Sequence, residues 1–267
     1  MKRKEGLAKA LVAVLQGIML PLSYPNYAFD FYGTLADIRT HEDDPMVWQK
    51  MCLFYGYYDA LYQPEEMKKA YERLIAAKEA EKKDSLEDGP RYAHEACPEI
   101  DQTQVFQALF AEKRVTVDER LARYAGQFFR VLATEYLRLY DGTVEMLKEL
   151  RRQGKKLYVL SNAQRIFTEY ELHVLNIAQY FEGILISSDY GVRKPDSRFF
   201  QILLDQYHLS PKETLFIGND STTDIAGAKS VGMPTYYIHS NISPEGDCPQ
   251  DSDFCEMDFT GWKIPRL

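Results

Sequence analysis

Four groups of side chains in this sequence are of the types needed for chemistry on an anion. The first is Asp30 with Tyr32, Gly33 and Thr34; the second is Ser161 with Asn162. The third is Arg193 with Lys194, and the fourth is Asn219, Asp220 and Asp224. Asp30 supplies a carboxylate able to attack phosphorus or carbon and form a covalent intermediate. Ser161 supplies a hydroxyl that, with nearby backbone amides, can hold developing negative charge. Lys194 is a point positive charge, and an acidic pair suits a hard, oxygen-seeking cation. Each group also has a plain structural reading: Asp30 and Asp220 are of the type that caps turns and helices. The chemistry depends on all four converging.

A parallel sheet is what would bring them together. Tyr27–Phe31 is a short apolar strand that runs straight into Gly33-Thr34. From Asp141 onward, helices and strands alternate. Helix Thr143–Gln153 is closed by Gly154 and followed by strand Lys156–Leu160, helix Ile166–Leu175 and strand Gly183–Ser187. Helix Asp196–Tyr207, strand Thr214–Ile217, helix Asp224–Val231 (ended by Gly232) and strand Thr235–Ile238 complete the series. Helices of this length between apolar strands imply right-handed crossovers. The fold class expected is therefore α/β, a doubly wound, Rossmann-like parallel sheet built from residues 26–35 and 139–240. Ligands of such sheets bind beyond the carboxyl ends of the strands, and every one of the four groups follows a strand.

Residues 36–138 carry almost no strand signal and are expected to form an inserted α-helical domain. Its helices fall at Met46–Phe54, Pro64–Lys82, Thr103–Lys113 and Asp118–Leu137. The last places Leu121, Tyr124, Phe128, Val131 and Leu132 on one apolar face. Arg130 and Arg138 flank that face and are read as solvent-facing. Tyr55, Tyr57, Tyr58 and Tyr62 fit either ordinary packing or an aromatic pocket. Residues 1–25 read as an N-terminal extension helix with Leu7, Leu11, Leu15, Ile18 and Met19 at helical spacing, ended by Pro21 and Pro25. Residues 241–267 read as a polar C-terminal tail lying on the surface as loop.

Set in order, the four groups resemble the motifs of the haloacid dehalogenase-like hydrolase superfamily. Asp30-Phe-Tyr-Gly-Thr-Leu35 is similar to its motif I, Leu160-Ser161-Asn162 to motif II and Lys194-Pro195-Asp196 to motif III. Gly218-Asn-Asp220-Ser-Thr-Thr-Asp224 with the following Ile-Ala-Gly-Ala228 is similar to motif IV. The resemblance implies an enzyme, a hydrolase with Asp30 as nucleophile, Lys194 and Ser161 beside the transferred group, and Gly33, Thr34 and Asn162 against the substrate. It implies magnesium held by Asp30, the main-chain carbonyl of Tyr32 and a motif IV acid, Asp220 or Asp224. The insert then becomes a helical cap, from whose near end Arg39 and His41 are candidates to touch substrate.

The sequence departs from this pattern at Tyr32, where the superfamily's phosphatases carry a second aspartate that protonates the leaving oxygen. The superfamily's 2-haloacid dehalogenases have tyrosine there. Asp220, four residues before Asp224, has the spacing of the metal-dependent members, and Phe200 stands where those dehalogenases carry tyrosine. A magnesium-dependent phosphatase acting on a small phosphorylated metabolite is the reading favoured. A carbon–halide hydrolase and a weakly catalytic binding or regulatory protein of the same fold are the alternatives. A tyrosine at this position would suit a leaving group that needs little protonation, or an acid borrowed from the cap.

Composition narrows the partners. The 267 residues are 45% hydrophobic and 27% charged, enough to bury a core, and the net charge of −8 disfavours nucleic acid and anionic membrane. No stretch is long and apolar enough to span a bilayer. The partner expected is a small anionic substrate. Cys52, Cys97, Cys248 and Cys255 form no paired motif and read as reduced thiols of a cytoplasmic protein. The spacing of His239, Cys248 and Cys255 matches no zinc pattern. Substrate identity and oligomeric state are left open.

Overall fold

A computed structural model of the chain describes residues 24–84, 98–247, 249 and 251–263. The expected N-terminal helix falls outside the described residues apart from Tyr24 and Pro25, and Cys97 and Cys248 also lie outside them. The strands are β1 (Asn26–Phe29), β2 (Ala36–Thr40), β3 (Thr134–Leu139), β4 (Lys156–Ser161), β5 (Gly183–Ile186), β6 (Thr214–Gly218), β7 (Thr235–Ile238) and β8 (Phe254–Glu256). The helices are α1 (Pro45–Gly56), α2 (Pro64–Asp84), α3 (Gln102–Glu112), α4 (Glu119–Ala133), α5 (Thr143–Arg152), α6 (Arg165–Val174), the single turn α7 (Ser187–Tyr190), α8 (Ser197–Gln206) and α9 (Ala226–Ser230).

Six strands form one sheet in the order β5-β4-β1-β6-β7-β8, and every pairing in it is parallel. β1 lies at the middle, with Phe29 opposite Val159 on one side and Ile217 on the other. Tyr27, Ala28 and Phe29 are fully buried, which explains a continuous apolar run where a half-exposed strand would alternate. The strand order reverses at β1, so the crevice beyond its carboxyl end is the place for a ligand. No helix among the described residues is long and apolar enough to cross a membrane.

The insert differs from expectation at both ends. Ala36–Thr40 and Thr134–Leu139 are strands, paired antiparallel into a two-stranded ribbon. The last helix therefore stops at Ala133 rather than Leu137. Thr134, Tyr136 and Leu137 pair across the ribbon, a non-local gain that the helical spacing does not reveal. The four helices between the two strands share an apolar cluster of their own, built on Trp48, Tyr55, Phe106, Phe110 and Phe129.

α4 also turns a different face inward. Ala122, Ala125, Gly126, Phe129 and Ala133 are buried, while Tyr124 and Val131 stay exposed. A Cβ on Gly126 would fall 2.6 Å from Ile166 and 2.9 Å from Phe106. Small residues let α4 approach α3 and α6 closely, and that contact outweighs burial of the bulkier face. Tyr55 and Tyr62 are packing residues: their hydroxyls donate to the Phe106 and Leu109 carbonyls. Tyr57 is 87% exposed.

The tail is not simply a surface loop. β8 extends the sheet beside β7, and Phe259 and Trp262 are buried against Phe29 and Tyr140. The Trp262 indole donates to the Thr34 carbonyl (3.2 Å), so the tail braces the turn that carries Asp30. Trp262→Ala is expected to lower stability by about 3–5 kcal/mol, read as a lower urea midpoint with an unchanged slope.

Candidate active site

The turn after β1 presents Asp30 at the reversal point. The Asp30 N–H donates to the Ile217 carbonyl (2.8 Å), continuing the β1–β6 pairing by one residue. The Phe31 carbonyl then accepts from the N–H groups of Thr34, Leu35 and Ala36. Gly33 has φ +86°, and a Cβ there would lie 2.3 Å from the Asn219 amide nitrogen. Position 33 therefore needs glycine for its conformation and for its contact with the loop after β6.

Lys194 reaches between two carboxylates. Its ammonium donates to Asp30 Oδ1 at 2.7 Å and to Asp224 Oδ1 at 2.6 Å, and the residue is 2% exposed. Burial works against its charge, but Asp224 and Asp30 outweigh that and hold its pKa above the ordinary lysine value. Burial lifts the Asp224 carboxyl above the usual carboxylate range despite the pull of Lys194. Asn162 fixes the Lys194 main chain, accepting from its N–H (2.7 Å) and donating to its carbonyl (2.9 Å).

The loop after β6 turns its two acids to different uses. Asp224 Oδ2 accepts from the Asn219 and Asp220 N–H groups, so both oxygens of Asp224 are committed. A Cβ on Gly218 would sit 2.3 Å from that carboxylate. Asp220 caps the helical turn that follows, accepting on Oδ1 from the Thr222 and Thr223 N–H groups. The tail contributes here: Asp247 accepts from the Ser221 N–H (2.7 Å) and from its hydroxyl, and the Asn219 amide donates to Ser243 (3.4 Å).

Tyr32 is held from the other side. Its hydroxyl donates to Glu171 Oε2 at 2.5 Å and lies 2.9 Å from Thr168 Oγ1. Burial, reinforced by the Glu171 charge, pushes the phenol far above its ordinary value. Arg130 pairs with Glu171 at 2.6 Å and has a side chain only 14% exposed, in contrast to its solvent-facing reading. Arg138 keeps an exposed side chain while pairing with Asp37.

The structure brings Asp30, Tyr32, Asn162, Lys194, Asp220 and Asp224 onto one cavity of about 240 Å³. Asn219, Thr223, Ile242 and Pro244 complete its wall. Ser161 is buried at the end of β4 behind the residues that line the cavity, and its hydroxyl has no partner among the described residues. Thr34 lies below, with Oγ1 3.4 Å from Asp30 Oδ2. Arg39 and His41 are not brought to this cavity: both are exposed on the ribbon and pair with Glu135. Arg39 belongs to β2, and His41 follows that strand directly, its N–H donating to the Ala133 carbonyl.

Sequence reasoning missed Thr168, Glu171, Ser243 and Asp247. The first two sit on the inner face of α6, readable only as an amphipathic helix; the others lie in the tail, where polar composition signals loop. His239 pairs with the Tyr237 hydroxyl, and among the described residues no three His, Cys, Asp or Glu side chains are placed to hold a metal ion together.

A hard cation here would need amide or main-chain oxygens beside the carboxylates, since no three acidic side chains are placed to hold one together among the described residues. Three carboxyl groups, Asp30, Asp220 and Asp224, share the wall with one ammonium, an excess of negative charge even with Asp224 pushed up to about 7 by burial. Asp30 Oδ2, Asp220 Oδ2 and the Asn219 amide oxygen are the wall oxygens not spent on strong hydrogen bonds. An all-oxygen set with few carboxylates matches magnesium, which keeps several waters. Both oxygens of Asp224 already accept hydrogen bonds.

Lys194→Met leaves two buried carboxylates facing each other without a counter-charge, at an expected loss of about 3–5 kcal/mol near neutral pH. The remaining carboxyls then have folded-state pKa values above their unfolded ones. The variant should therefore gain stability as pH falls from neutrality toward the unfolded carboxyl value near 4. Urea titrations at several pH values check the sign: a loss that stays constant with pH would contradict it.

A haloacid dehalogenase-like hydrolase model matches residues 25–232. A phosphoserine phosphatase of Thermus thermophilus is 30% identical over 127 residues, covering 48% of this chain and 50% of that protein. A glyceraldehyde 3-phosphate phosphatase of Methanocaldococcus jannaschii is 34% identical over 118 residues, 44% of this chain and 52% of that protein. The chain thus spans about half the length of these relatives. A solved 2-haloacid dehalogenase from Pseudomonas syringae shares the fold, with a TM-score of 0.55 at 18% identity over 87% of this chain and 93% of that one. Coverage of most of the chain by the family model, together with the four motif groups on one cavity, shows that this protein belongs to the haloacid dehalogenase-like hydrolase family.

Proposed function

We propose that the protein is a magnesium-dependent phosphatase acting on a small phosphorylated metabolite, with residues 36–138 serving as a cap over the site. The observation that carries this reading is the wall charge: three carboxyl groups against one buried ammonium. A phosphate dianion can approach such a wall only if a cation offsets the excess. The relatives named as phosphatases support the same substrate class. The cavity of about 240 Å³ suits a small substrate.

Lys194 holds Asp30 Oδ1 and so aims Oδ2 at the incoming group. Oδ2 lies 3.4 Å from Thr34 Oγ1, too far for a strong hydrogen bond, and keeps its lone pairs for an electrophile. Its attack on phosphorus breaks the ester P–O bond, releases the leaving oxygen and gives an acyl phosphate on Asp30; water then attacks that phosphorus, freeing phosphate and restoring the carboxylate. The unpartnered Ser161 hydroxyl is a donor in waiting for a phosphoryl oxygen. Asp30, Asp220, Asn219 and the Tyr32 carbonyl would hold the magnesium ion, which supplies charge neutralisation when bound.

The test is a panel of phosphate esters and 2-haloacids, each with and without magnesium. Turnover of phosphate esters should require magnesium and fall by about 10³-fold or more in Asp30→Asn. Ser161→Ala should lower kcat by about 10²–10³-fold. Metal-free chloride release from 2-chloropropionate would replace this reading with carbon–halide hydrolysis, which Tyr32 also suits because halide leaves without a proton. No turnover of either class would leave a binding protein.

A further inference from the structure

We propose that the phosphate compounds cleaved here are those of acidic hydroxyls, such as carboxylic acids, enols and phenols, whose oxygen leaves as an anion without taking a proton from the protein. The inference rests on the phosphatase reading and names its substrate class. It follows from where each proton-bearing side chain of the cavity wall is spent. The Tyr32 hydroxyl donates away from the cavity, to Glu171 on α6 at 2.5 Å, with Thr168 beside it. The Lys194 ammonium is committed to Asp30 and Asp224 at 2.7 and 2.6 Å. The Asn162 amide donates to the Lys194 carbonyl. Asp220 accepts two backbone N–H groups on one oxygen. Both Asp224 oxygens face donors, the Lys194 ammonium on Oδ1 and the Asn219 and Asp220 N–H groups on Oδ2, so that carboxyl is turned away from a leaving group. Thr223 offers an alcohol, no stronger an acid than the alcohol that its proton would produce from a leaving alkoxide. Among the described residues, no wall group stands poised to protonate a leaving oxygen.

The step that remains possible balances without an acid. A bond forms between Asp30 Oδ2 and phosphorus, and the phosphorus–oxygen bond breaks. The leaving oxygen keeps the electron pair and departs as carboxylate, enolate or phenolate. Water later supplies the oxygen that frees phosphate and returns the Asp30 carboxylate, its protons going to solvent. A carboxylate leaves as the base of an acid with pKa near 4, and a phenolate near 10. An alkoxide is about as basic as hydroxide, whose parent water has pKa 15.7. A positioned acid contributes about 10²–10⁴-fold, and its absence should appear in full for alkyl phosphates.

The experiment measures kcat/KM with magnesium for acetyl phosphate, a graded series of substituted phenyl phosphates and an alkyl phosphate of similar size. The expected result is a steep fall with rising leaving-group pKa, with the alkyl phosphate slower than phenyl phosphate by about 10²-fold or more. A solvent deuterium isotope effect near unity across the phenyl series is expected as well, since no proton is in flight. A shallow dependence, or a normal isotope effect, would overturn the inference, because either shows an acid delivered to the leaving oxygen, by the insert or by a wall group. Magnesium-dependent turnover with a shallow slope removes this inference alone. Inactivity toward the whole series removes the phosphatase reading and this inference together.

Discussion

Everything at the site depends on one buried ammonium. Lys194 is almost wholly excluded from solvent and charged because Asp30 and Asp224 lie on either side of it. Neither carboxylate could stay ionised so near the other in a low-dielectric setting without it. Three loops must therefore meet at one point, from after β1, before α8 and after β6. The strand order with β1 between β4 and β6 is the topology that permits this. Details that look local serve the same meeting. Asn162, after β4, grips the Lys194 main chain. Gly33 and Gly218 lack side chains where one would collide with Asn219 or Asp224.

A second set of contacts joins this cluster to the insert. Tyr32 lines the cavity, but its hydroxyl belongs to Glu171, which in turn binds Arg130 of α4. The backbone at Pro98 and Glu99 pairs with Gly191 and Val192, and the Glu99 carboxylate accepts from Ser187. The insert is thus tied to the core at two places flanking the turn of Asp30 and the approach to Lys194. A change of insert position would be felt at both through contiguous hydrogen bonds. In this arrangement the Tyr32 hydroxyl faces Glu171 and Thr168.

The tail adds a third support. Polar composition and prolines suggest an unstructured surface course, yet Trp262 braces the motif I turn and Asp247 holds Ser221 at the start of the motif IV turn. Asn241 donates to Asp37 on the ribbon, next to the Arg138–Asp37 pair. The segment after β7 therefore connects ribbon, motif I and motif IV, and Ile242 and Pro244 narrow the cavity mouth.

The sequence by itself determined the parallel sheet, the order of its elements and the clustering of Asp30, Asn162, Lys194, Asp220 and Asp224. Buried parallel strands are continuous apolar runs, and residues just after them must gather at one edge. Those signals are local and survive in one dimension. The tertiary structure alone decided the rest. Ala36–Thr40 became a strand because Thr134–Leu139 lay opposite to pair with it, and this drew Arg39 and His41 off to Glu135. Arg130 turned inward because Glu171 waited there, and α4 buried its alanines because close approach was worth more than its larger apolar face. Asp224 gave its two oxygens to two backbone amides and a lysine. Each of these outcomes depends on a partner tens of residues or more away or on a fold-made cavity wall, and the spacing of residues along a chain carries no record of which polar group will be spent on which partner.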